Sequence, residues 1–455
     1  MANNMIADLM ASVRKADGGL AMSIEEFKEA QFGLPLKHYC LQYLFGSTGL
    51  RYGGFYLLAG KPKSCKSPFA FFLAHLCCEN EGLAFIYEME GKASPTLLES
   101  MFADHPEWRG IPDQETMRCA LIPAKTMEVG EKHTSSVIKV YKNKKAYANP
   151  LLIDWDSISG AGTEDIAEKI EGGEAVGKGY GAKPHIMKNF TENWVAVRDM
   201  LPIVFVGVLQ EKQKISETGR SAFAAPQKSY SGGDSQLFKA ATLLSFAQIG
   251  QLPVGNGKIL RIKTELNGFA DARQIEVKFV WDQFGSLETE SQGHKWLFAE
   301  ATARCLATPK IVGNLRDIID VKMNDQGLVT CKQFGLDKVT PEEFETALFA
   351  PENDATLEDL YKYHKIEKIK LPSEYPDFVA RRGDTATAAK EAEKEEKKAA
   401  QEARIAEEKA KEAAKQEKRE AKARKAAAAS SLKALKEMAK GGTNANSDSD
   451  QAHDA

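Results

Sequence analysis

Five short apolar runs constrain this chain's fold more than any other feature: Phe55–Ala59, Leu83–Tyr87, Leu151–Asp156, Ile203–Leu209 and Ala241–Gln248. A strand with one wet face alternates apolar and polar residues. These runs are nearly continuous, which is the pattern of parallel strands covered on both faces. Helical patterns separate them, so the expected fold class is α/β with a mostly parallel central sheet. Lys258–Lys263 and Gln274–Trp281 read as an antiparallel extension, joined by a loop containing Asn267-Gly268.

The residues at the end of each run carry the chemistry. The first runs into Gly60-Lys61-Pro62-Lys63-Ser64-Cys65-Lys66-Ser67-Pro68, and a strongly apolar helical pattern begins near Ser67. A phosphate loop reads G-x-x-x-x-G-K-[ST]. Gly60, Lys66 and Ser67 match; Cys65 stands where the second Gly belongs. In the strand–loop–helix setting, backbone N–H groups and a helix N-terminus face the anion. Lys66 would neutralise the β- and γ-phosphates, and Ser67 would ligate Mg²⁺. Lys61 and Lys63 add positive charge at the mouth. A side chain at Cys65 needs an ordinary φ or room to point away from the ligand.

The second run leads into Tyr87-Glu88-Met89-Glu90-Gly91, the third ends in Asp154-Trp155-Asp156-Ser157, and the fourth ends at Gln210. A carboxylate at Glu88 or Glu90 can polarise an attacking water. Asp154 and Asp156 compete as an outer-sphere Mg²⁺ ligand. Gln210 can sense a γ-phosphate through its amide. Open α/β sheets bind ligands at these strand ends.

Two long segments separate core elements, and such loops are commonly functional. The one after Gln210 carries Lys212, Lys214, Arg220 and Lys228, interleaved with Phe223 and Tyr230, and ends in Gly232-Gly233. Cations suit phosphates, and aromatic rings stack on or wedge between bases. The Gly-rich segment 159–181 is acidic through Glu164, Asp165, Glu168, Glu171 and Glu174, opposed by Lys169, Lys178 and Lys183.

Net charge is only −3, so nucleic-acid binding would have to come from a local basic surface. Seven irregularly spaced cysteines, with no C-x-x-C pair, argue for a reducing compartment and against disulfides or zinc. No signal peptide and no membrane-spanning run is read, so a soluble, cytoplasmic protein is expected. The chain divides into four regions. Residues 1–31 read as an amphipathic helical arm that either packs on its own domain or docks on a neighbouring subunit, the resemblance described next favouring subunit contact. The ATPase-like core with its loops is 32–287, and 288–380 is a small helical domain. Residues 381–455 are an Ala/Glu/Lys-rich helical and then disordered acidic tail.

From Leu34 to Trp281 the chain resembles the RecA family of strand-exchange recombinases, closest to the UvsX type of tailed phages. Leu41–Gly60 resembles the lead-in to the family's loop. YEMEG resembles the strand ending in its catalytic Glu, which falls on Glu90. IDWDSISG resembles its Walker B segment, with Asp156-Ser157 on the Asp-Ser pair, and Gln210 matches the residue linking nucleotide to DNA. The segments 211–233 and 159–181 resemble its second and first DNA-binding loops. The resemblance implies a RecA-like P-loop ATPase core and an ATP-dependent DNA recombinase. It would form helical filaments on single-stranded DNA and exchange strands with homologous duplex in recombination and repair. Expected roles are Glu90, Lys66 and Gln210 in catalysis and Gly60–Pro68 on ATP. Ser67 and Asp156 would serve Mg²⁺. Lys212, Arg220, Phe223, Lys228, Tyr230, Gly232, Gly233 and Lys178 would serve DNA, and Lys263 would act in trans across the subunit interface. Mediator and single-strand-binding proteins are expected partners, and the compartment is the host cytoplasm if a phage encodes the chain. The rival readings are a RecA-like filament or scaffold protein with weak ATPase activity, and a ring-forming helicase motor.

Overall fold

The computed structural model describes residues 30–377 apart from 93–94, 111–113, 145–146, 173–181, 199–200, 215–226, 231–232, 234, 253–256, 282–293 and 308–314, with isolated positions at 12, 26, 28, 425 and 430–433. The chain divides into two units, and Met22–Val379 holds nearly all described residues. The expected N-terminal arm and charged tail lie almost wholly outside the described residues.

In chain order, β1 (Gly33–Pro35), α1 (Tyr39–Phe45) and β2 (Gly49–Arg51) precede β3 (Phe55–Gly60), α2 (Lys66–Glu79), β4 (Leu83–Glu88) and α3 (Pro95–Met101). Next come β5 (Cys119–Pro123), α4 (Met127–Lys144), β6 (Leu151–Asp156), α5 (Glu164–Glu171), α6 (Ala182–Arg198), β7 (Ile203–Lys214), β8 (Gln227–Tyr230) and α7 (Ser235–Lys239). The sheet continues with β9 (Thr242–Gln251), β10 (Gly257–Asn267), β11 (Gln274–Trp281) and β12 (His294–Trp296), and α8 (Phe298–Ala307) follows. Last are α9 (Leu315–Ile318), β13 (Val321–Met323), β14 (Val329–Cys331), β15 (Leu336–Val339), α10 (Pro341–Leu348) and α11 (Asp354–Tyr363).

The main sheet has ten strands, in the order β12-β11-β10-β9-β3-β7-β6-β4-β5, with β8 paired to β7. From β9 to β5 every neighbour is parallel, and β9 through β12 pair antiparallel. The protein is therefore α/β with a large, mostly parallel central sheet. Both faces of that sheet are buried. On one face, Leu58, Val206 and Leu152 pack with Leu73, Leu76 and Cys77 of α2. On the other, Leu57, Ile153, Trp155 and Phe205 pack with Phe190 and Trp194 of α6. Phe55 stacks on Phe205 at 4.4 Å and Trp155 on Phe190 at 4.3 Å. Successive strand residues point to opposite faces, so two dry faces produce continuous apolar runs. Each buried Leu, Ile, Val or Phe stabilises the fold by roughly 1.5–3 kcal/mol.

Two features differ from expectation. The fourth strand does not end at Leu209: β7 runs on to Lys214, where β8 pairs with it in an antiparallel ladder. Polar residues extend this strand because past Gln210 it has left the packed layers. The C-terminal region is not purely helical, since β13–β15 form a three-stranded sheet. Its strands are three or four residues long, too short for an alternation pattern to show. That region packs on α1 through Tyr39, Leu306, Val329, Phe344 and Leu360. Buried Glu345 fastens the joint, accepting from Thr302 Oγ1 at 2.6 Å and lying 2.7 Å from His38 Nδ1.

Candidate functional site

The Gly60–Ser67 loop joins the C-terminal end of β3 to the N-terminus of α2. Lys63 and Cys65 both adopt left-handed backbone conformations, with φ of 63° and 62°. Such residues bend the chain so that neighbouring N–H groups converge, the geometry of an anion-binding nest. Cys65 thus has the conformation a Gly would take at small cost, and it takes it with a side chain. The thiol is not turned out to solvent. It is buried, and burial raises its pKa to about 11. Lys66 is also buried, and Nζ donates to the carbonyls of Gly60 (3.1 Å) and Lys61 (2.8 Å) and to Ser64 Oγ (3.3 Å). Burial lowers the affinity of this ammonium for its proton, while Asp156 and Glu90 favour the charged form.

Parallel pairing brings the other strand ends alongside. Gly60 lies opposite Gln210, and Glu88 opposite Asp156. The two ambiguous carboxylate pairs separate clearly. Glu88 turns back on its own chain and accepts the N–H groups of Glu90 (3.1 Å), Gly91 (2.9 Å) and Lys92 (2.8 Å). That bonding shapes the turn and projects Glu90 into the site. Glu90 Oε1 accepts from Ser157 Oγ and from Gln210 Nε2 (2.9 Å), and Oε2 from Lys92 Nζ (3.1 Å). Burial would raise the Glu90 carboxyl, but these donors outweigh it and hold it below its ordinary value.

Asp154 is fully buried within the sheet, and neither carboxylate oxygen has a hydrogen-bond partner. Burial, then the charge of Asp156, pushes its carboxyl far above the ordinary range and favours the neutral form. Asp156 sits at the open strand end. Burial pushes it up to about 6, against a hydrogen bond from Ser67 and the charge of Lys66. Ser67 and Asp156 together offer hard oxygen atoms beside the loop. Among the described residues no cluster of three or more His, Cys, Asp or Glu can hold a metal. One hydroxyl and one carboxylate suit a Mg²⁺ ion that keeps its waters and binds phosphate oxygens.

A cavity of about 520 Å³ opens beside the loop, lined by Lys63–Pro68, Thr96, Leu97, Lys258, Phe279, Trp281 and His294. Its volume is in the range of small-molecule pockets. Sequence reasoning misses the last four of these residues. Phe279 and Trp281 carry a signal as aromatics ending the late strand pair, where aromatics also read as core, whereas Lys258 and His294 carry none. Lys258 Nζ donates to the Lys63 carbonyl (2.6 Å) and stands 5.8 Å from the centre of the Trp281 ring.

The remaining expected residues are more scattered. Lys212 is exposed and lies opposite Ser229 in the β7–β8 ladder, and Tyr230 packs partly against the core. Lys228 lies opposite Gln213 in the same ladder. Gly233 has φ of 83° and approaches Pro184. Lys178, Arg220, Phe223 and Gly232 lie outside the described residues. Lys263, on β10, is half-exposed and lies 3.7 Å from Glu265.

Among the described residues no helix is long and apolar enough to cross a membrane. No protein-family model matches the chain, and no curated protein matches it at a significant level.

Proposed function

We propose that the chain is an ATP-dependent DNA recombinase with a RecA-like core. It would form filaments on single-stranded DNA and pair that strand with a homologous duplex. The observation that carries this reading is the direct bond from Gln210 to Glu90 beside the Gly60–Ser67 loop, on a strand that continues into the basic β7–β8 hairpin. Nucleotide chemistry and the hairpin thereby share one element.

In this reading the loop N–H groups and the N-terminus of α2 take the phosphates. Lys66 leaves its own loop carbonyls for the β- and γ-phosphates, and the base fills the cavity walled by Trp281 and His294. Ser67 and Asp156 would hold Mg²⁺, which would supply charge neutralisation to the phosphates. Glu90, charged and oriented by three donors, accepts a proton from the attacking water. Gln210 exchanges its bond to Glu90 for one to the γ-phosphate, and that exchange is felt along β7. ATP then favours the DNA-gripping state, and hydrolysis favours release.

ATP turnover with and without single-stranded DNA, beside a joint-molecule assay, tests this. DNA-stimulated turnover with strand pairing is expected, and Lys66→Ala is expected to abolish the stimulated turnover. Turnover that ignores DNA, with no pairing, would sink the reading. Closed rings rather than open filaments in negative-stain images would point to a helicase motor instead. Two observations favour a scaffold with weak nucleotide binding: Lys66 is already satisfied by its own loop, and Cys65 is held in a strained conformation. Failure to bind at millimolar Mg-ATP would select that alternative.

A further inference from the structure

We propose that Gly160 and Lys183 are positioning residues for Glu90. Gly160 leaves the space in which the carboxylate lies, and Lys183 braces the turn that holds it. The inference rests on the ATPase reading above and deepens it.

The turn from Ser157 to Gly160 succeeds β6 directly. Ser157 Oγ donates to Glu90 and itself accepts the N–H of Gly160 at 3.1 Å. A Cβ placed on Gly160 would lie 2.0 Å from Glu90 Cγ and 2.6 Å from its Cδ. The Glu90 side chain therefore lies directly over the Gly160 Cα. Any larger residue at 160 must displace the Glu90 side chain from the position in which its donors hold it. This glycine is required by close approach rather than by backbone conformation.

Lys183 supports the same turn from the first turn of α6. Its Nζ donates to the Ser159 carbonyl at 3.2 Å. Ser159 Oγ accepts the backbone N–H of Gln210 at 2.7 Å, and the Gln210 amide donates to Glu90 at 2.9 Å. Lys183, Ser159, Gln210 and Glu90 thus form one connected series. Lys183 is partly buried, with the like charge of Lys212 nearby and the opposite charge of Glu90 in its favour. Long cationic side chains ordinarily extend to water. This one is folded inward and anchors a turn. Neither Gly160 nor Lys183 lines the cavity beside the Gly60–Ser67 loop, so both act on the attack step and not on nucleotide capture.

The test uses the full chain, with steady-state ATP turnover and direct binding of a non-hydrolysable ATP analogue. Gly160→Ala is expected to lower kcat by about ten- to a hundredfold, since displacing a catalytic group by ~1 Å is costly on that scale. KM and analogue affinity are expected to stay within about twofold, the signature of an interaction used only in the transition state. Lys183→Met is expected to lower kcat by about fivefold, the smaller loss of a brace that acts through the turn. Lys183→Arg, which still reaches the Ser159 carbonyl, is expected to restore most of it. A purely structural role would instead weaken analogue binding and melting temperature together. If Gly160→Ala does not fold, the Lys183 pair decides. An active parent whose variants all keep parental kcat overturns this inference alone. A parent that turns over no ATP sinks the ATPase reading and this inference with it.

Discussion

At the ends of β4 and β6 the chain sets two carboxylates two positions apart, and it disposes of the spare one in opposite ways. Glu88 is spare at β4. It remains near solvent, bonded to three backbone N–H groups, and shapes the turn that presents Glu90. Asp154 is spare at β6. It is sealed inside the sheet with no hydrogen-bond partner, and burial pushes its carboxyl up. A bonded carboxylate builds local structure, whereas a buried unbonded one only costs stability. The working members differ too. Donors hold the Glu90 carboxyl below its ordinary value, while burial pushes Asp156 up to about 6 against the bond from Ser67 and the charge of Lys66.

The sharpest way to break the comparison is at β4. Glu90→Gln is expected to lower ATP turnover by about 10²–10⁴-fold, the usual scale for a general base, with nucleotide binding retained. Glu88→Gln keeps one acceptor oxygen and should cost less than about tenfold in steady-state rates. Equal losses would mean that the two glutamates have been assigned wrongly.

At β6, Asp156→Asn is expected to weaken Mg-ATP binding by about 10–100-fold in a titration, the range seen when metal-supporting groups are removed. The same residue carries a pH signature in the metal-free protein. Its folded value is near 6 against an ordinary 3.8, so the folded state holds the proton more tightly. The stability it contributes is complete below about pH 4 and is lost as pH rises to about 6. Melting temperatures between pH 4 and 7 should therefore slope less in Asp156→Asn than in the parent.

Asp154→Val is expected to raise stability by about 1–3 kcal/mol in urea unfolding, by removing a buried polar group that has no partner. A loss of stability would mean that Asp154 has an undetected partner. The smallest effect belongs to the loop. Cys65→Gly should leave ATP binding intact and stabilise the fold by roughly 1 kcal/mol, the scale of left-handed strain for a residue with a side chain.

The parallel strands were legible because both faces are dry. β5 was not, because it is an edge strand with Leu121 largely exposed, so its apolar pattern is broken. The loop, both carboxylate pairs and Gln210 were legible because strand ends mark ligand positions in such sheets. Alternation alone does not choose within each pair, since Glu88 and Glu90 lie on the same side of it, as do Asp154 and Asp156; the family resemblance points to Glu90 and Asp156. Hydrogen bonding and depth separate them in the structure. Lys258, Trp281 and His294 were not legible because they reach the cavity from strands far along the chain.

β7 is a single strand of twelve residues, from the centre of the sheet to the root of the hairpin. At ~3.3 Å per residue it projects about 13 Å beyond Gln210. It forms one rod, clamped between β3 and β6 at one end and paired with β8 at the other. A load on the hairpin is therefore delivered to Gln210 as a tug or a twist of the rod. The leverage is set by length: adding or deleting a pair of rungs beyond Gln210 would change how strongly the hairpin acts on the site without altering any residue within it.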